Sequence, residues 1–130
     1  SQARYLLALN ADLGPEPGFL DEVIKFAEGL ESASPSVGIA GFRLLDPDGS
    51  PQGSAGRFPT LARFLRGLAK PRATRKYRMD LQGENRVEVD WVTGACMLID
   101  RRCFDDLGGF DEQFFLYYED VDLCLRARQR

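Results

Sequence analysis

The chain contains no histidine, and its three cysteines, Cys96, Cys103 and Cys124, show no C-x-x-C spacing. A structural zinc centre needs a tetrahedral set of such ligands at short spacing, so that class is excluded and buried thiols in a reducing compartment are the default. Long apolar runs are lacking too. None approaches the roughly 20 residues that span a bilayer, and Ser1, Gln2, Ala3 and Arg4 lack the basic-then-apolar form of a signal peptide. The segment therefore reads as soluble and cytoplasmic. Positive charge is in deficit: a net charge of -3 and a pI near 5.0 argue against a nucleic-acid binder, which displays basic surface to phosphates. No repeat or low-complexity segment appears. What is present is the composition of an ordinary globular protein, 44% hydrophobic and 28% charged over 130 residues, which fits one domain. Arg57, Arg63, Arg66, Lys70, Arg72, Arg75, Lys76 and Arg78 cluster in the middle, either as a solvated linker or as a local anion-attracting face.

Tyr5 to Leu9 is a continuous apolar run that stops at Asn10, as in a buried parallel strand of an α/β sheet. Gly14, Pro15 and Pro17 punctuate a loop. Phe19, Leu20, Val23, Ile24, Ala27 and Leu30 then recur at helical spacing and predict a core-facing helix to about Ser32. Val37 to Leu45 reads as a second strand, and Asp46, Pro47, Asp48 and Gly49 as a hairpin or tight corner. That quartet is not a calcium loop, because its glycine comes too early and no bidentate Glu follows in register. Thr60 can cap a short helix over Leu61, Phe64, Leu65 and Leu68, before a polar, basic loop from Lys70 to Glu84. Val87 to Ile99 predicts one long bent strand or two short ones, with the bend at Thr93 and Gly94. Arg101 to Leu107 is a brief helix closed by Gly108 and Gly109, and Glu119 to Arg130 another, with Val121, Leu125 and Arg128 on one side. A strand first, a helix running to the end and no Gly-rich phosphate loop suggest a piece of a longer α/β protein.

Two groups of residues carry chemistry. Asn10 and Asp12 follow the first strand, and ligands bind at the carboxyl ends of strands in open α/β sheets. A carboxylate with a neighbouring amide oxygen can hold Mg²⁺ or Mn²⁺, whose other positions go to water and phosphates; the plain alternative is an Asx turn. The second group is Asp111, Glu112, Glu119, Asp120 and Asp122 around Phe114, Phe115, Leu116, Tyr117 and Tyr118. Carboxylates beside an aromatic wall are either helix-capping groups or a site that accepts a proton from a hydroxyl. Most of the aromatics are expected in the core, with Trp91 and Tyr118 as candidates to stack on a sugar ring.

With these motifs in order, the chain resembles the inverting family-2 glycosyltransferases of bacteria, in their rhamnosyltransferase-like branch. Leu6 to Asp12 resembles the strand that ends in an Asn-x-Asp form of the family's Asp-x-Asp motif. Gly41 to Ser50 resembles the next strand and turn, Val89 to Ile99 the acceptor-side strand, and Gly109 through Glu119, Asp120, Val121 and Asp122 to Cys124 the Glu-Asp segment. The resemblance implies a partial GT-A α/β sheet with flanking helices, the nucleotide-binding strands preceding Ser1, and residues 1–130 as a single fragment of the catalytic domain. It implies a nucleotide-sugar donor, dTDP-rhamnose or a UDP-sugar, and a glycan or lipid-linked acceptor in surface polysaccharide synthesis, with peripheral contact at the inner face of the membrane.

By the same resemblance Asp120 is the general base, Glu119 orients it or meets the acceptor, and Asp12 beside Asn10 holds a divalent metal on the diphosphate. Trp91, Thr93, Gly94, Ala95 and Tyr118 line the acceptor side. Two departures stand out: the family's nucleoside-binding acids would precede Ser1, and the histidine that often completes its metal site would follow Arg130. The isolated chain is accordingly expected to be inactive. The competing expectation is a non-catalytic α/β module that docks a protein or an anionic membrane through its basic loop.

Overall fold

Four apolar residues, Cys96 to Ile99, with Asp100 at their polar end, form the central strand of a three-stranded sheet in the computed structural model, which describes residues 3–31, 37–58, 60, 86–115 and 117–130. That strand, β7 in chain order, is flanked by β1 (Tyr5–Leu9) and β2 (Ile39–Gly41). Its side chains alternate between two buried layers, as a strand covered on both faces must. Met97 and Ile99 join Leu6, Ala8, Ile39, Leu123 and Cys124 on one face; Leu98 joins Tyr5, Leu7, Ala40 and Phe42 under a helix on the other.

Both neighbours run antiparallel to β7, with Tyr5 opposite Asp100 and Ile39 opposite Ile99. The expectation of a parallel pairing for Tyr5 to Leu9 is thus corrected. A continuous apolar run reports burial on two faces, not the direction of the neighbouring chain.

The helix α1 (Phe19–Glu31) covers the second face through Phe19, Val23, Phe26, Ala27 and Leu30. Phe42 packs edge-on against both Phe19 and Phe26, each at 5.8 Å between centroids. Leu20 and Ile24, counted toward the core from spacing, are 60% and 55% exposed. Phe26, which spacing overlooked, takes an inward place instead.

The single strand expected over Val37 to Leu45 is two pieces. After Gly41 the chain leaves the sheet, and β3 (Leu44–Leu45) pairs with β4 (Pro51–Gln52) as a hairpin. The break comes at Gly41, a position that takes glycine because a Cβ there would lie 2.6 Å from the Cβ of Val92. The turn itself is as expected: Gly49 has φ +80°, its N–H donates to the Asp46 carbonyl, and Asp48 accepts from the Ser50 N–H.

The short strands β5 (Ala55–Gly56) and β6 (Trp91–Val92) pair with each other, and a turn at Gly94 and Ala95 separates β6 from β7, at the expected bend. The Asp90 carboxylate fastens this ribbon, accepting from the Phe58 N–H at 2.8 Å and pairing with Arg57 at 3.3 Å and Arg128 at 3.6 Å.

The helix α2 (Arg101–Asp106) starts where Asp100 accepts from the Cys103 N–H at 3.0 Å and ends in Gly108 and Gly109, with φ +75° and +79°. The helix α3 (Glu119–Arg128) buries Leu123 and Cys124, whereas Leu125 and Arg128 are exposed. All three cysteines are free; Cys96 and Cys124 are buried. Burial pushes the Cys124 thiol up to about 11, far from the thiolate form that reacts. The expected helix over Leu61, Phe64, Leu65 and Leu68 and the polar stretch from Lys70 to Glu84, with most of the basic cluster, lie outside the described residues. The architecture is mixed α/β, as the sequence implied.

Candidate functional site

Antiparallel pairing carries the end of β1 to the start of β7, and one hydrogen bond extends the ladder beyond both strands. The Asn10 N–H donates to the Ala95 carbonyl at 2.9 Å. Residues 10–13 then form a turn closed by the Leu13 N–H on the Asn10 carbonyl at 3.2 Å. Backbone atoms hold this turn, so the Asx alternative does not describe it. The Asn10 and Asp12 side chains are exposed, and among the described residues neither has a hydrogen-bond partner.

The turn at residues 93–95 is pinned from three directions. Its Thr93 N–H donates to the Ser54 carbonyl at 2.8 Å, Ala95 receives Asn10, and the Gly94 N–H donates to Oδ2 of Asp120 at 2.9 Å. The Thr93 hydroxyl accepts from the Ala95 N–H at 3.4 Å, tightening the same turn. Asp120, in the first turn of α3, therefore sits at the same end of the sheet as the loop after β1. Its other oxygen accepts from the Val121 N–H at 2.7 Å. Each carboxylate oxygen has two lone pairs, so both retain capacity to accept a further proton donor.

The five clustered acids divide by role. Asp111 makes a turn, its Oδ1 accepting from the Gln113 N–H at 2.9 Å. Asp122 pairs with Arg126 at 2.7 Å. Glu112 is exposed. Glu119 is different, because its Oε2 is buried with no hydrogen-bond partner among the described residues. A buried acceptor without a partner is uncommon and points to one supplied from outside the described residues. Turn-making and ion pairing thus leave Glu112, Glu119 and Asp120 available, and of these Glu119 and Asp120 are the two that are partly buried.

The aromatic segment does not form core. Phe115 is 99% exposed and Tyr117 71%, which corrects the expectation that these two rings pack inward; Tyr118, set apart from the core in the sequence, is 63% exposed. Tyr117 and Tyr118 also have φ values of 65° and 70°. Consecutive left-handed residues other than glycine are sterically disfavoured and are found where surroundings over-determine them, often beside functional groups. Tyr118 occupies the N-cap position of α3 without a side-chain cap. Trp91 lies on the β5–β6 ribbon: its ring covers Gly56 and its Nε1–H donates to the Arg57 carbonyl at 3.2 Å. Sequence reasoning missed Asp90 and Arg126, whose partners include backbone groups distant in sequence.

Among the described residues no group of three or more acids, cysteines or histidines gathers to hold a metal, and no helix is long and apolar enough to cross a membrane. No solved structure gives a significant match to the chain. Curated relatives do match. The N-acetylglucosaminyl-diphospho-decaprenol L-rhamnosyltransferase of Mycobacterium tuberculosis is 36% identical over 125 residues, which is 92% of this chain and 39% of that protein. Rhamnosyltransferase WbbL of Escherichia coli K12 is 31% identical over 122 residues, 94% of this chain and 45% of its own length. The O-antigen biosynthesis protein RfbC of Myxococcus xanthus is 36% identical over 129 residues, 97% of this chain but 10% of that protein. The chain thus spans less than half of each. The model of the glycosyltransferase like family 2 matches residues 33–130, a stretch that includes the 93–95 turn, Glu119 and Asp120, and the chain belongs to that family.

Proposed function

We propose that the full-length protein transfers a sugar from a nucleotide-diphosphate donor to a glycan or lipid-linked acceptor with inversion, and that this chain carries its catalytic base and acceptor side. The observation that supports this most is the hydrogen bond from Gly94 to Asp120, which holds a carboxylate with spare lone pairs beside the loop that bears Asp12. Asp120 takes the proton of the acceptor hydroxyl as that oxygen attacks the anomeric carbon, and a single displacement inverts the centre. Glu119, through its unpartnered oxygen, accepts from a second hydroxyl or orients the first. The exposed Tyr118 ring and the backbone of Thr93, Gly94 and Ala95 flank the acceptor; Trp91 supports the ribbon behind them.

The donor set suits a magnesium-like ion. Asp12 offers one exposed carboxylate with the Asn10 amide nearby, and such ions bind through one or two carboxylates plus water and substrate phosphates, without an all-protein cage. When bound, Mg²⁺ or Mn²⁺ supplies charge neutralisation on the departing diphosphate. The names of the relatives favour a deoxyhexose donor, dTDP-rhamnose, and a polyprenyl-diphosphate glycan as acceptor, which would bring the protein to the cytoplasmic membrane surface.

Calorimetric titration of dTDP and UDP into the full-length protein, with and without Mn²⁺, tests the reading. Metal-dependent binding of one nucleotide, lost in Asp12→Ala, is expected. Absence of nucleotide binding by the folded wild-type protein would overturn it.

A further inference from the structure

Resting on the transferase reading, we propose that Arg126 is a positioning residue of the site: its guanidinium closes the base of the loop that delivers Glu119 and Asp120. Three of its nitrogens reach three acceptors. Nε donates to Oδ2 of Asp122 at 2.7 Å, Nη1 to the Leu107 carbonyl at 2.8 Å and Nη2 to the Gly109 carbonyl at 2.9 Å. The side chain is 28% exposed and that of Asp122 22%, so the cluster is largely shielded from competing water.

The two carbonyls lie just past α2, where the left-handed Gly108 and Gly109 reverse the chain. From there the chain leaves at Phe110 and comes back to α3 through Tyr117 and Tyr118. Arg126 therefore joins the outgoing end of this loop to the helix on which its returning end is built. The loop finishes in the left-handed Tyr117 and Tyr118, a backbone that needs surrounding restraint, and the next residue is Glu119 with its unpartnered buried oxygen. Gly94 holds Asp120 at the front of α3 and Arg126 anchors the helix about 9 Å behind, six residues at 1.5 Å each. With both ends fixed, the helix cannot slide or rotate its acids away from the 93–95 turn. Only a planar fork with several donors makes these bonds together; the point charge of lysine cannot.

The test compares full-length wild type with Arg126→Lys and Arg126→Met, using dTDP-rhamnose and a polyprenyl-diphosphate-linked N-acetylglucosamine, well below each variant's Tm. Misplacement of reacting groups by about 1 Å lowers turnover by up to about a hundredfold. Both variants are expected to lose about tenfold to a hundredfold in kcat while the donor KM changes by less than about threefold, and lysine is expected not to rescue. A lower Tm with wild-type kcat would show a purely structural role and overturn the proposal. Asp122→Ala, which frees one edge of the guanidinium and leaves both carbonyl bonds, serves where the Arg126 variants do not fold. A kcat loss of about threefold to tenfold supports the proposal there, and wild-type kcat overturns it. Wild-type protein that transfers no sugar overturns the transferase reading and this proposal with it, whereas active wild type alongside fully active Arg126→Lys overturns the proposal alone.

Discussion

Asp120→Asn is the usual near-isosteric test of a catalytic carboxylate, but here it changes two quantities at once. Oδ2 accepts from Gly94 at 2.9 Å and Oδ1 from Val121 at 2.7 Å. An amide has one acceptor oxygen, so whichever N–H it keeps, the other faces an NH₂ donor. A donor left without a partner costs about 1–3 kcal/mol, and the lower part of that range applies because Asp120 is only part-buried. At no more than roughly 2–4 °C per kcal/mol for a protein longer than about 150 residues, Tm should fall by up to about 8 °C. Loss of a general base separately lowers turnover by about 10²–10⁴. Assayed well below Tm, the folded fraction stays near one, so the fall in kcat reports chemistry and the fall in Tm reports the hydrogen bonds. The paired measurements are sugar transfer and differential scanning calorimetry on the full-length protein, with nucleotide binding as the control for donor-site integrity. Transfer within about tenfold of wild type would refute Asp120 as base. An unchanged Tm would refute the claim that both of its oxygens hold backbone N–H groups.

Two further outcomes follow from packing and charge. Gly41→Ala places a Cβ 2.6 Å from the Cβ and 2.7 Å from Cγ1 of the buried Val92, whose branched side chain cannot turn aside, so the urea midpoint should fall by the equivalent of about 1–3 kcal/mol; unchanged stability would mean that β2 can slide away from β6. At Asp90 burial works to raise the carboxyl, but the Phe58 N–H and the Arg57 and Arg128 guanidinium groups outweigh it and hold the group below its ordinary range. A depressed folded-state value contributes stability that is complete above the unfolded value of about 3.9 and is lost as pH falls through the folded one. The stability gap between wild type and Asp90→Asn should thus be flat near neutral pH and shrink below about pH 4 in urea titrations; a gap that widens on acidification refutes the assignment.

Local chemistry made much of the fold legible. The apolar run of β1, the turn at Asp46 to Gly49, the bend at residues 93–95 and the glycine stop after α2 all stand where pattern and turn residues put them. Each depends on interactions within a few residues. The failures share the opposite property. The direction of β1 depends on a strand about 90 residues later, and the need for glycine at position 41 on the approach of Val92. The inward set of α1 was misjudged at Leu20 and Ile24 because spacing gives the width of an apolar face but not which edge the sheet covers.

The candidate site obeys the same division: its acids can be nominated from sequence, and the contacts that hold them cannot. Glu119 and Asp120 advertise themselves by type, at a helix start beside aromatics. What makes Asp120 distinct from Asp111 and Asp122 is a partner 26 residues away in sequence, the Gly94 N–H, and a backbone donor leaves no mark in a sequence. Arg126 was half visible, since a carboxylate four residues before an arginine is a recognisable helix pair. Its two bonds to the carbonyls of Leu107 and Gly109 were not, and they turn an ordinary surface pair into a clamp between two helices. Residue type therefore nominates the acids, while main-chain partners distant in sequence decide which of them is held in place.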